Sequence, residues 1–303
     1  MGKIAFVFSG QGAQKPGMGL ELYEASAAAK AIFDMADTIR PGTKEQCFNG
    51  DKDELLKTVN TQPCLFCVDL AAAAALKEAG INPDMVAGFS LGEIAAAAFS
   101  NLYSYEDGFK LVVKRGEYMQ EAADKVDTAM GAVLKLGFAD VEKLCEGFDK
   151  VFPVNYNCPG QLVVAGDKAQ LNDFKAAVKT AGGRFMPIAV GGGFHSPFMS
   201  EAGEKFAKEL EGVTFNTPDM PLYSNYTAKP YGDNAKELLA LQISNPVRWQ
   251  ESVENMIAEG VDTFIEVGCG NTLAGLISKI SKEVRVFNVT DSSTLSDTVK
   301  AVK

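Results

Sequence analysis

The chain has 303 residues, 47% of them hydrophobic and 22% charged, and a formal net charge of −10. That length can bury a large core and suits more than one domain, and the composition is that of a soluble globular protein. The acidic balance argues against nucleic acid as a partner, and no segment reads as a signal peptide or membrane span, so a cytoplasmic protein away from membranes is expected.

Residues 3–8 read as a buried strand ending in Ser9-Gly10-Gln11-Gly12-Ala13-Gln14. Helical patterns follow over 20–33 and 52–59. A stronger one runs over 63–79, with Pro63 in its first turn and Gly80 as its stop. Cys64 and Cys67 fall on one face of it. A metal or redox site would need a second pair or nearby histidines, so the six cysteines are expected as reduced, mostly buried thiols and no metal site is expected. Residues 84–87 read as a short buried strand and 93–99 as a helix, with Gly88-Phe89-Ser90-Leu91-Gly92 between them. Residues 105–123 read as a helix that carries Arg115.

From residue 129 the texture changes. A strand at 131–136, a helix at 140–148, strands at 151–156 and 162–165, a helix at 167–180 and a strand at 184–190 follow in turn. This β-α-β-β-α-β order is a ferredoxin-like signature. The expected fold is α/β. Residues 1–125 and 191–303 form an α/β-hydrolase-like large domain with a parallel sheet and a nucleophile elbow, and residues 126–190 form an inserted ferredoxin-like small domain. Helices at 201–210, 234–241 and 247–259, a strand at 263–268 and a helix at 272–280 complete the large domain.

A serine is a weak nucleophile until something takes its proton, and near neutral pH histidine is suited to take it. The chain has one histidine, His195, so a Ser–His pair has no rival base. Ser90 lies in a Gly-x-Ser-x-Gly frame between a strand and a helix, the setting of a nucleophile elbow. Glycines at 88 and 92 leave room for the bend. The N–H of Leu91 and the helix dipole then face a developing oxyanion. Taken alone, the motif also fits an ordinary helix cap, and a lone histidine is more often a core or surface residue. The run Gly191-Gly192-Gly193-Phe194-His195-Ser196-Pro197 reads as a loop, where functional residues concentrate. It directly follows the insert, so a cleft between the two lobes is the expected meeting place. The second oxyanion donor is expected to be the N–H of Gln11. A phosphate-binding reading of Gly10-Gln11-Gly12 lacks the third glycine of a dinucleotide fingerprint and the Gly-Lys-Ser/Thr of a P-loop. No carboxylate stands out as a third member, so a backbone carbonyl is the expected partner of the imidazole. Arg115 is either a solvated helix charge or, if buried, a planar fork for a carboxylate.

Read together, Phe8-Ser9-Gly10-Gln11-Gly12-Ala13-Gln14, Thr61-Gln62-Pro63, Gly88-Phe89-Ser90-Leu91-Gly92-Glu93, Arg115-Gly116, Asn157-Cys158-Pro159-Gly160-Gln161, Gly193-Phe194-His195-Ser196, Asn245-Pro246-Val247-Arg248-Trp249 and Glu266-Val267-Gly268 resemble the malonyl-CoA:acyl carrier protein transacylases. They stand in that family's order and span nearly the whole chain. The resemblance implies ping-pong transfer of a malonyl group from malonyl-CoA to the phosphopantetheine thiol of an acidic acyl carrier protein, supplying fatty acid synthesis. Coenzyme A thioester would be the substrate, with no permanently bound cofactor. Ser90 would carry the malonyl ester and His195 would move the protons. Gln11 and Leu91 would form the oxyanion hole, and Arg115 would hold the malonyl carboxylate. The backbone carbonyl of Gln242 would orient His195, while Gln62, Phe194 and Asn157 would line the site. Two positions depart from the family pattern: Phe89 stands where histidine is usual, and Cys269 where proline is frequent. A serine thioesterase or esterase on the same elbow is the alternative, and a non-enzymatic carrier-binding module a more distant one. An acidic chain that meets an acidic carrier needs a local basic rim, for which Lys110, Lys114 and Arg184 are candidates.

Overall fold

The computed structural model describes residues 2–303. In chain order its strands are β1 (Lys3–Phe8), β2 (Met85–Gly88), β3 (Thr128–Leu134), β4 (Val151–Cys158), β5 (Gln161–Asp167), β6 (Arg184–Ile188), β7 (Leu222–Tyr223), β8 (Val261–Val267) and β9 (Arg285–Val289). Among the described residues they form two sheets. One has five strands in the order β7-β2-β1-β8-β9, all parallel. The other has four strands in the order β4-β5-β3-β6, all antiparallel.

The parallel sheet is covered on both faces, so its strands read as near-continuous apolar runs. Ala5, Phe6, Val7 and Phe8 of β1 are all fully buried. Phe6 and Phe8 point into a core with Phe66, Phe99 and Phe109, whereas Ala5 and Val7 point into a second core with Trp249, Val253 and Phe264. The antiparallel sheet packs Val133, Leu162 and Val164 against its own helices through Val141, Phe174 and Val178. Its other face, with Met130, Ala132, Val163 and Ala165, joins the main core. Parallel strands all end at one edge, and ligands of such sheets sit outside those carboxyl ends. Here the neighbouring strands β7, β2 and β1 release Ser224-Asn225, Phe89-Ser90 and Ser9-Gly10-Gln11 at that edge.

Several elements differ from the sequence expectation. The pattern at 20–33 is two helices, Leu20–Ala25 and Ala27–Ile39, because Ser26 turns extended and its hydroxyl caps the second through the Ala29 N–H at 3.1 Å. The helix expected from Pro63 begins five residues earlier and runs Thr58–Glu78, so proline sits inside it. Nearly every side chain of that helix is buried, and this burial outweighs the preference of proline for a first turn. It is long and apolar enough to cross a membrane, but it lies in the protein core. A helix at Thr43–Asn49, strand β9 and a last helix at Ser292–Val302 had no expectation; Asp291 and Thr294 cap the last one reciprocally. All six cysteines are free and buried.

Candidate active site

The elbow follows β2 directly. Ser90 adopts φ 55°, ψ −108° and caps the helix Leu91–Phe99. Such backbone costs a non-glycine residue about 1–3 kcal/mol and persists only where the surroundings enforce it. They do so here by crowding. A Cβ on Gly88 would lie 2.0 Å from the Gly92 carbonyl carbon, and one on Gly92 would lie 2.3 Å from the Phe8 carbonyl oxygen. Hydrogen bonds then grip the Ser90 peptide from both sides. Its N–H donates to Asn225 Oδ1 at 2.8 Å, and its carbonyl accepts from Gln242 Nε2 at 2.7 Å. The N–H of Leu91 opens the helix, where the first donors lack intrahelical acceptors.

His195 also has positive φ, 60°. It follows the glycine run, in which the Gly193 N–H donates to Thr128 Oγ1 at 2.8 Å and the Gly193 carbonyl accepts from the Ser196 hydroxyl. His195 Nε2 lies 2.7 Å from Ser90 Oγ, and Nδ1 lies 2.9 Å from the backbone carbonyl of Gln242. A carbonyl only accepts, so that contact places the ring proton on Nδ1 and leaves the Nε2 lone pair facing the serine hydroxyl. His195 is buried and Ser90 half-buried, so the hydroxyl stays reachable while the base is shielded. Burial, and next the nearby Arg115 charge, push the imidazole down to about 4. It is therefore neutral across the physiological range.

Arg115 comes from the helix Tyr105–Asp124 and is fully buried. NH1 donates to Gln62 Oε1 at 2.7 Å. NH2 donates to Gln242 Oε1 at 2.9 Å and to Ser90 Oγ at 3.2 Å. Its Nε has no partner, and none of the ion pairs among the described residues includes it. Burial lowers it to about 10, opposed by Glu93, so it remains a cation at neutral pH. A buried guanidinium held by neutral amides over a serine hydroxyl is suited to a carboxylate brought by a ligand.

The structure thus joins Ser90, His195, Arg115, Gln62 and Gln242 by direct hydrogen bonds. Gln11 follows β1 and borders, with Phe89 and Glu266, a cavity of about 140 Å³. Phe194 is buried in the main core beside the base. Asn157 is buried on β4 and its Oδ1 has no hydrogen-bond partner. Phe89 packs edge-on against Trp249, ring centroids 5.5 Å apart. Cys269 packs its thiol on the Ala13 carbonyl at 2.8 Å, tying the turn after β8 to the loop after β1.

Lys110 and Lys114 do not line the site around Ser90. Lys110 and Lys114 pair with Asp107 and Glu117 of their own helix, at 3.7 and 2.9 Å, along a groove with Arg40 and Glu209 that contains none of the residues around Ser90. Successive helical residues point about 100° apart, so an inward Arg115 turns Lys114 outward. Arg184 is exposed at the start of β6. Sequence reasoning missed Asn225, Glu93 and Tyr231. Glu93 stood inside the elbow motif without a role, whereas Asn225 and Tyr231 carry no local signal.

Residues 5–294 match the acyl transferase domain family. The malonyl CoA-acyl carrier protein transacylase of Bacillus subtilis (strain 168) is 40% identical over 314 residues, covering 100% of this chain and 98% of that protein. Its counterpart in Staphylococcus aureus (strain MRSA252) is 38% identical over 299 residues, covering 95% and 96%. Among solved structures, the malonyl CoA-acyl carrier protein transacylase of Clostridium perfringens superposes with a TM-score of 0.96 at 37% identity, covering 99% of this chain and 97% of that one. A malonyl-transacylase in complex with its type II PKS acyl-carrier protein superposes with a TM-score of 0.95 at 32% identity, covering 99% of both. The chain therefore belongs to the acyl transferase domain family, as an acyltransferase related along its whole length to the malonyl CoA-acyl carrier protein transacylases.

Proposed function

We propose that the protein transfers a malonyl group from malonyl-CoA to the phosphopantetheine thiol of an acyl carrier protein through a malonyl-Ser90 ester. The observation that carries this reading is the meeting of a neutral imidazole and a buried, carboxylate-free guanidinium on one serine oxygen, Ser90 Oγ. As Oγ attacks the thioester carbonyl, its proton passes to His195 Nε2. The carbonyl oxygen becomes an oxyanion facing the N–H groups of Leu91 and Gln11. The C–S bond breaks, and the imidazolium returns the proton to the coenzyme A thiolate. The carrier thiol then repeats the sequence: it gives its proton to Nε2 and attacks the ester, and Ser90 recovers the proton as it leaves. Arg115 binds the malonyl carboxylate, and Gln62 and Gln242 hold the guanidinium plane in place. The carbonyl of Gln242 orients His195, while Phe194 and Asn157 line the site.

On this reading residues 1–125 and 191–303 are an α/β-hydrolase-like catalytic domain, residues 126–190 are a ferredoxin-like insert, and substrate enters between them. The enzyme works in the cytoplasm, needs no resident cofactor and supplies fatty acid synthesis. The relatives' names and the carrier complex of one of them support the choice of donor and acceptor. The test supplies malonyl-CoA with and without holo acyl carrier protein. Malonyl-carrier should form much faster than free malonate, and Arg115→Ala should shift preference from malonyl toward acetyl. Release of malonate at the same rate with or without carrier would make the protein a thioesterase and overturn the proposal.

A further inference from the structure

One buried ionisable side chain has no part in the chemistry above. Glu93 is fully buried on the first turn of the helix Leu91–Phe99. Its carboxylate accepts from the Asn225 N–H, at 3.2 Å to each oxygen, and from Gln242 Nε2 at 2.9 Å. It also accepts from the Tyr231 hydroxyl. Asn225 and Gln242 are the residues that grip the Ser90 peptide, by its N–H and its carbonyl. Gln242 also accepts from Arg115 at its Oε1 and from His195 Nδ1 at its backbone carbonyl, and its Nε2 lies 3.3 Å from Asn225 Oδ1.

A carboxylate offers acceptors to all three converging groups, and a protonated carboxyl still accepts from Gln242 and Asn225 while donating to the Tyr231 oxygen. The consequence for Gln242 is specific. Its amide has an oxygen end and a nitrogen end of nearly the same shape. With Nε2 held by Glu93, Oε1 must face the Arg115 guanidinium. The flipped amide would set Oε1 against the Glu93 carboxylate and the Ser90 carbonyl, acceptor against acceptor, and the NH2 group against Arg115, donor against donor. Burial pushes the Glu93 carboxyl up to about 7, while the bonds from Tyr231, Gln242 and Asn225 and the Arg115 charge act in the opposite direction.

We propose that Glu93 is a positioning residue for acyl transfer: its carboxylate fixes the Gln242 amide and the Asn225 backbone, and through them the Ser90 peptide, Arg115 and the His195 ring. The proposal rests on Ser90 being the nucleophile with His195 as its base. A helix-dipole role for Glu93 would need only a negative charge in the first turn. The positioning role needs acceptor atoms at the reach of glutamate.

Two conservative variants separate these roles. Glu93→Asp keeps the charge and withdraws the acceptors by one methylene. Glu93→Gln loses the charge but keeps an acceptor for Gln242 and Asn225, with its amide able to donate to the Tyr231 oxygen. Labelling of Ser90 by a fluorophosphonate probe, located by peptide mapping, needs neither malonyl-CoA nor a carrier. Thermal melting checks that each variant folds. Misplacement of reacting groups by about 1 Å can cost about 100-fold. Glu93→Asp should therefore lower the maximal labelling rate by about 10- to 100-fold, with little change in the probe concentration at half-maximal rate, and Glu93→Gln should recover most of that loss. A folded Glu93→Asp that labels as fast as Glu93→Gln, or faster, overturns the positioning role while Ser90 labelling in the unmodified protein still stands. No labelling of Ser90 in the unmodified protein overturns the dyad and this proposal with it.

Discussion

Ser90 and His195 both sit at positive φ, at 55° and 60°, yet the two segments reach that conformation by different means. The elbow is fixed by backbone crowding: Gly88 and Gly92 stand where no Cβ fits, and Asn225 and Gln242 grip the peptide between them. The histidine loop is crowded by side chains instead, a Cβ on Gly192 lying 2.5 Å from Ala123 Cβ and one on Gly193 2.9 Å from Phe198 Cδ2, and it is held by three hydrogen bonds. Thr128 holds the Gly193 N–H, Ser196 holds the Gly193 carbonyl, and Gln242 holds the ring. Backbone packed in a sheet and a helix yields less readily than side chains and single hydrogen bonds do. The nucleophile is thus set against backbone, and the base against side chains and single hydrogen bonds.

The largest effect should come from removing the base. His195→Ala is expected to slow malonyl transfer by about 100- to 10,000-fold, and a steady-state assay with carrier protein reads it; a loss below tenfold would give the proton to some other group. A smaller effect should come from loosening the loop while keeping the base. Thr128→Val leaves the Gly193 N–H without its partner, a penalty of about 1–3 kcal/mol for a buried donor. It should lower kcat by roughly tenfold, at about 1.4 kcal/mol per factor of ten, and change KM little. An unchanged kcat would show that Thr128 does not set the loop and would remove the contrast between the two halves.

The same contrast decides what the sequence made legible. The elbow is written locally, since strand, two glycines, serine and helix are consecutive, and a chain-order reading finds them. The single histidine was conspicuous by its rarity. Its partner Gln242 carried no signal of its own and came only from the family resemblance. Asn225 lies 135 residues from Ser90 and reaches it because β7 pairs with β2, a pairing of two residues per strand that no periodicity marks. Glu93 stood within the motif, but its role depends on Asn225, Gln242 and Tyr231, all far along the chain. Two of the candidates for a basic rim show the converse. Lys110 and Lys114 stand on the helix that carries Arg115, yet their side chains pair along a groove that none of the residues around Ser90 lines.

Every step of the proposed transfer depends on a neutral His195 taking the proton of Ser90. The most direct test of this is the rate of malonyl transfer onto the protein from limiting malonyl-CoA, with carrier absent, followed by rapid quench and peptide mapping from pH 8 downward. The imidazole is held near 4, below the ordinary histidine value of 6.5, so the base stays unprotonated as pH falls through 6.5 and is lost only when protonated near 4. The expected result is one malonyl group per chain, on Ser90, forming at a rate that holds through pH 6 and falls only toward pH 4. A malonyl group on any other residue, or none, would contradict the account. A rate that halves at pH 6.5 or above would contradict the buried, arginine-flanked base.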